Sequence, residues 1–265
     1  LSSQFNLTAF RRQLGTQWLA HSMLFFEELE STNTYLKKLP ADEIEQGLLC
    51  LTDHQTEGRG QYERKWESKR GKNLTFSLAF KPSSNERLHV LTLACALAIV
   101  EYLNDSVSDE PCACIKWPND VMLNDRKVGG LLTETVFSGN VLDRLVIGIG
   151  LNVNQQKFPA DVSKVATSIS LETKKPVDRE KLLSEILQRI EHKYQLWDRH
   201  KNDLIKVINR NIIGYGQWIG LIIDEELQED PFKLLGINEH GELLMLNQDG
   251  GIESFSYEQI RLVTD

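Results

Sequence analysis

Leu74-Thr75-Phe76-Ser77-Leu78-Ala79-Phe80 alternates strictly, with large apolar groups on one face and small or polar ones on the other. That period of two predicts a strand. Leu48 to Asp53 reads as a buried strand, and a loop rich in Gly, Arg and Lys runs on to Lys72. Glu86 to Leu103 switches to helical spacing, through Leu88, Leu91, Cys95, Ala98, Ile99 and Tyr102. Short strands are predicted around Cys114 to Trp117, Lys127 to Thr135 and Leu145 to Asn152. Asp178 caps a long helix whose stripe is Leu182, Leu183, Ile186, Ile190, Tyr194 and Trp197. Near the start, Phe10, Leu14 and Trp18 make an amphipathic helical pattern in a lead-in of about 26 residues. Ser31 precedes a short helix, Thr32 to Leu39, as its N-cap.

After about residue 212 the texture changes. Short strand patterns at Trp218 to Ile223, Phe232 to Ile237, Leu243 to Leu246 and Ser254 to Tyr257 are separated by the turn signals Glu239-His240-Gly241 and Asp249-Gly250. The expectation is a core over 1–211 that carries the candidate site, and a small β-barrel over 212–265.

The 265 residues suffice for one large domain with a small satellite. A net charge of −8 argues against broad nucleic-acid binding, which wants a basic face. The basic stretch from Arg59 to Lys72 is long enough for a nucleotide, not for a duplex. Four cysteines in so long a chain make no disulfide framework, and Cys112 and Cys114 lack the partners of a zinc knuckle. The longest apolar run, Leu91 to Val100, is about half a membrane span. These features predict a cytoplasmic protein that binds neither membrane nor DNA, since the lead-in is too short for a helix-turn-helix domain.

Candidate chemistry sits in a few segments. In the strand Gly148 to Asn154, Gly148, Gly150, Asn152 and Asn154 share a face of bare backbone and amides, opposite Ile149, Leu151 and Val153. That face is either a floor for a flat ligand or a seat for close packing; the amide of Asn152 can pair with the edge of adenine. Lys127, Gly129, Leu131 and Thr133 share another face, from which Lys127 either reaches an anion or snorkels to solvent. Lys116-Trp117-Pro118-Asn119-Asp120 leaves a strand through a turn, and Asp120 can support Mg2+ on phosphates. In the loop Gln55 to Trp66, Gly58 and Gly60 free backbone N–H groups for an anion, Arg59 and Arg64 add cationic donors, and Trp66 offers a stacking plane.

Taken in order, Ser31-Thr32-Asn33, Gln55, Gly58-Arg59-Gly60 with Arg64 and Trp66, Lys116 to Asp120, Lys127-Val128-Gly129-Gly130 and Gly148 to Asn154 resemble the catalytic core of biotin protein ligases. The resemblance covers about residues 25–265. It implies an α/β (α+β) fold with a mixed, largely antiparallel sheet flanked by helices, like class II aminoacyl-tRNA synthetases, and a small C-terminal Src-homology-3-like barrel. It implies ATP-dependent synthesis of biotinyl-AMP and transfer of biotin to a lysine of a biotin carboxyl carrier protein, and it allows a homodimer. By this resemblance Lys127 and Arg59 are catalytic, and Ser31, Thr32, Asn33, Gln55, Arg59, Gly60, Gln61 and Lys127 bind biotin. Gly58, Arg64, Trp66, Lys116, Asn119, Asp120 and Asn152 bind ATP or the adenylate. Two residues depart from the pattern: Gln61 stands where the family has a second arginine, and Glu63 where it has glycine. A lipoate ligase is the nearest alternative, and a regulator that only traps the adenylate is another.

Overall fold

The computed structural model describes residues 4–61, 64–106, 112–199 and 202–263. A seven-stranded sheet forms the centre, in the order β1 (Met23–Phe26), β2 (Leu48–Thr52), β3 (Leu74–Phe80), β7 (Val141–Leu151), β6 (Arg126–Ser138), β5 (Asp120–Leu123) and β4 (Ala113–Lys116). Within it only β1 and β2 run parallel; every other neighbouring pair is antiparallel. The sheet is therefore mixed and largely antiparallel, as expected.

The alternation read in β3 sorts the two faces. Leu74, Phe76, Leu78 and Phe80 join Leu145, Ile147, Ile149 and Leu151 in the main core, under α3 (Leu88–Ser106) and, beyond the short helix α4 (Ile169–Thr173), α5 (Arg179–Asp198). Ala79 and Val146 point the other way and are covered by Leu36 of α2 (Thr32–Lys38). Further along that second face α2 gives out, and Gly148 and Leu132, with the row Thr75–Gly150–Gly130, are left lining a cleft, while their neighbour Ser77 stays buried. Helix α3 has the length and apolarity to cross a membrane, but 72% of its apolar window is buried inside the molecule. Such burial is what a core helix shows.

The lead-in differs from its expected pattern. Helix α1 covers only Leu7–Gln13, closed by Leu14 N–H on the Phe10 carbonyl at 2.9 Å, and Gly15 follows. Trp18 lies beyond it, packed edge-on against Phe80 and Tyr194. The backbone N–H groups of Gln17, Trp18 and Leu19 all donate to the buried Glu191 carboxylate, which bends the chain where a longer helix would run straight.

After helix α6 (Asn202–Arg210), Ile212 bridges to Ile115 of β4 and the chain enters a second sheet. Its order is β12 (Ile252–Phe255), β11 (Leu243–Leu246), β10 (Phe232–Ile237), β8 (Trp218–Ile223), β13 (Ile260–Val263), with β9 (Glu226–Leu227) on β8. The ends, β12 and β13, do not pair among the described residues. The expected barrel is thus a curled antiparallel sheet, half of a barrel.

Candidate functional site

The cleft on the second face of the main sheet has a volume of about 910 Å3, within the range of roughly 300–1,000 Å3 usual for ligand sites. Of the site positions expected from the sequence, all but Gly58 line it. The loop Gln55 to Trp66 closes one wall, the turn after β4 another, and Tyr257, Ile260 and Arg261 of the curled sheet reach the rim.

At the inner end lie neutral hydroxyls and amides. Ser31 caps α2, its Oγ accepting from Thr34 N–H at 3.4 Å. Thr32 N–H donates to Gln55 Oε1 at 2.8 Å, and the Thr32 hydroxyl stands 2.6 Å from that of Ser77. Ser77 also touches Asn33 Oδ1 at 2.6 Å, while Asn33 Nδ2 donates to the Leu132 carbonyl and to Glu134. Gly148 exists for this: a Cβ there would stand 2.2 Å from Asn33 Oδ1. The floor over Gly148 is thus filled by Asn33 itself.

Gly150 has the same logic, since its Cβ would lie 2.3 Å from the Trp66 ring. The flat group on the glycine floor is the indole of the chain's own loop. Among the described residues its Nε1 is buried without a hydrogen-bond partner, and so is Oδ1 of Asn152. An unpaired buried polar atom costs about 1–3 kcal/mol, so two of them on one cleft call for a polar ligand. Asn154, on the same predicted face, is used otherwise, its amide exchanging two bonds with the Val177 backbone.

The loop doubles back on itself. Trp66 N–H donates to the Gly58 carbonyl at 2.9 Å and Gly60 N–H to the Arg64 carbonyl at 2.6 Å. A side chain at position 58 would run into the Trp66 carbonyl at 2.2 Å, which explains that glycine. Gln61 and the exposed Arg64 line the cleft. Glu63, the other departure from the family pattern, lies outside the described residues.

Lys127 departs from its predicted neighbours. Val121 faces Gly129 but Met122 faces Lys127, so β6 carries one extra residue there, a bulge. The bulge breaks the alternation and brings Lys127 onto the face of Gly130 instead of that of Gly129 and Leu131. Lys127 Nζ lies over Gly130 and pairs with Asp120 Oδ1 at 2.5 Å, 6.0 Å from the Trp66 ring centre. Asn119 pins the turn to β6, donating to the Leu131 carbonyl at 2.6 Å and accepting its N–H at 2.9 Å. Lys116 reaches the same cleft, and Trp117, buried before a cis proline, donates to the Gly241 carbonyl.

Arg59 does not stand alone at the mouth. Its Nη2 meets Glu134 Oε2 at 2.9 Å and Thr34 Oγ1 at 3.1 Å. Glu134 is half-buried, which by itself raises its pKa, but bonds from Lys37 and Asn33 and the charge of Arg59 outweigh this and hold it below the usual carboxylate range. Sequence reasoning passed over Glu134, Ser77 and Thr75. The small polar residues on one face of β3 were the available signal for two of them. Among the described residues no group of three His, Cys, Asp or Glu side chains is placed to hold a metal.

Comparisons with known proteins find relatives of this chain by sequence and by fold. The Biotin/lipoate A/B protein ligase family matches residues 25–152. The bifunctional ligase/repressor BirA of Bacillus subtilis is 31% identical over 242 residues, covering 89% of this chain and 73% of its own. The solved biotin protein ligase of Aquifex aeolicus in complex with biotin and ATP is 30% identical, with a TM-score of 0.77 over 92% of this chain and 100% of that one. A mutant of the Aquifex aeolicus ligase, in complex with biotin, is 29% identical with a TM-score of 0.78, covering 93% of this chain and 100% of that one.

Proposed function

Because this chain belongs to the biotin protein ligases, within the biotin/lipoate ligase family, we propose that its cleft joins biotin to ATP and then biotinylates a carrier protein. The supporting observation is the division of the cleft into a neutral end and a cationic end. Thr32, Gln55 and Ser31 suit a ureido ring, which needs hydroxyl and amide partners and no charge. Lys127, Lys116 and Arg64 line the rest of the cleft, where a carboxylate and phosphates would meet, and Arg59 at the mouth borders the neutral end through Thr34 and Glu134.

The chemistry asks for no protein nucleophile. One oxygen of the biotin carboxylate attacks the α-phosphorus of MgATP in line, the bond to the bridging oxygen breaks, and pyrophosphate leaves. Lys127 steadies the carboxylate and the charge that develops on the transferring group, so catalysis is positioning and electrostatics. The ε-amine of a carrier lysine then attacks the carbonyl of biotinyl-AMP, and AMP departs as the amide forms. Magnesium would enter with the nucleotide and supply charge neutralisation on its phosphates, and Asp120, on the cleft beside Lys127, would be the carboxylate to hold it. Trp66 and Asn152 serve the adenine, and the loop from Gln55 to Trp66 shields the anhydride from water. We assign the core to 1–211 and the curled sheet to 212–265, with a carboxylase carrier domain as partner.

Mass spectrometry of a carrier domain incubated with the protein, MgATP and either biotin or lipoate tests this. A gain of one biotinyl group, with none from lipoate, is expected. Lipoyl addition, or pyrophosphate release with no transfer to any carrier domain, would overturn it.

A further inference from the structure

Hydroxyl hydrogens are not free to point anywhere when their neighbours are fixed. Asn33 Nδ2 faces two acceptors, the Leu132 carbonyl at 3.0 Å and Glu134 Oε2 at 2.9 Å. Flipping this amide would set its oxygen against both, so Oδ1 must face Ser77, 2.6 Å away. An amide oxygen only accepts, and a serine has a single hydrogen. The Ser77 hydrogen therefore goes to Asn33. The 2.6 Å contact between the Ser77 and Thr32 hydroxyls needs a hydrogen too, and Thr32 must supply it. The longer approach of Thr32 Oγ1 to Gln55 Oε1, at 3.1 Å, receives little of it. Gln55 is fixed in turn, because Oε1 takes the Thr32 N–H and Nε2 is left to donate.

We propose that Glu134 is a positioning residue for ligand selection: acting through Asn33 and Ser77, it sets the hydrogen-bond direction of the pocket so that Thr32 offers the ligand a lone pair. Thr32 then accepts from a ligand N–H while Gln55 donates, the complement of a ureido edge. This rests on the ligase reading above. Glu134 is suited to the task by charge. Its two oxygens satisfy three donors, with Lys37 Nζ at 2.6 Å on one and Asn33 and Arg59 on the other. A glutamine has one acceptor oxygen for the same three. Either the cations or Asn33 then faces an amide NH2, and the Asn33 amide loses half of what orients it.

The test is a ratio of affinities, which general loosening of the fold would lower equally for both ligands. Binding of biotin and of its cyclic carbamate analogue, with ring oxygen in place of the N–H facing Thr32, is measured by calorimetry for wild type, Glu134→Gln and Ser77→Ala. A site built around a ligand hydrogen bond rejects the analogue lacking it. Wild type should prefer biotin by about 10–100-fold, the cost of setting acceptor against acceptor. Ser77→Ala frees the Thr32 hydrogen to turn, and Glu134→Gln loosens the chain from its other end, so both should narrow the preference by roughly 10-fold. An unchanged ratio in both variants overturns the proposal while leaving the ligase reading intact. A narrowed ratio in Ser77→Ala alone removes Glu134 as the source of the polarity. If wild type binds neither ligand, the ligase reading fails and the proposal with it.

Discussion

Lys127 and Gln61 carry the sharpest consequences at the scale of single residues. Lys127 is paired with Asp120 over Gly130, on a strand bulge that aims it into the cleft. It contributes little to the core, so Lys127→Ala should leave the melting temperature near that of wild type. Adenylation should fall by about 10²–10³, as when one donor to developing charge is removed elsewhere. Pyrophosphate release within a few-fold of wild type would take Lys127 out of the reaction. Gln61 offers a neutral bond, worth about 0.5–1.5 kcal/mol, where an arginine would offer a charged one of about 1.5–3 kcal/mol. The difference of about 1 kcal/mol corresponds to several-fold slower loss of the adenylate from Gln61→Arg. Stopped-flow dissociation of preformed biotinyl-AMP measures this; an equal or faster rate would mean that backbone amides and Arg59 hold the phosphate without help from position 61.

Elements show which parts of the site could be read from sequence. The alternation of β3, the glycine pair of β7 and the cap of α2 were legible because each is local, fixed by period or by a side chain two or three residues away. Which face of β7 lines the cleft was legible, but what covers it was not. Its glycines do make room for flat groups, but the groups are Asn33 and Trp66, brought from α2 and the loop by contacts remote in sequence. The bulge that turns Lys127 was illegible, because it appears only in the pairing of β5 with β6. Glu134 was missed for a similar reason. On its strand it reads as one more surface carboxylate, and only the sheet brings Asn33, Lys37 and Arg59 to it. The packing of Trp66 on β7 gives a test at this scale. In Gly150→Ala the new methyl would sit 2.3 Å from the indole, which must shift. Stacking on an aromatic ring is worth roughly 1–3 kcal/mol per base, so the KM for ATP should rise about 5–100-fold and that for biotin far less. Trp66→Ala should do the same, and the double variant should be little worse than either, since both remove one interaction. Additive losses would show that the indole and the glycine act separately.

The whole molecule depends on how the curled sheet seats against the core, and His89 is at that seam. It opens α3, stacks on Tyr257 at 5.8 Å and meets the edge of Trp117 at 6.1 Å. Gly241 packs so closely on it that a Cβ would approach the ring to 2.7 Å. Trp117 in turn bonds the Gly241 carbonyl from within the Lys116–Asp120 turn, so one aromatic cluster joins that wall of the cleft to the second sheet. Burial pushes the His89 imidazole down from 6.5 to about 4, and its Nε2 has no partner among the described residues. Above pH 6.5 the ring is neutral whether the chain is folded or not, and the seam has its full stability. As pH falls from 6.5 toward 4, the unfolded chain takes up a proton that the native seam refuses. Stability is lost through that window, by on the order of 3 kcal/mol at its lower end. His89→Phe keeps a ring between Tyr257 and Trp117 but cannot titrate. The difference in melting temperature between pH 7.5 and pH 4.5 should therefore be smaller in His89→Phe than in wild type, whose other groups supply the remaining slope. Loss of ATP-dependent activity on acidification should shift to lower pH in parallel, because the seam also holds the turn that carries Lys116 and Asp120. An identical pH slope for the two proteins would place the acid sensitivity elsewhere and make the His89 seam a passive packing contact.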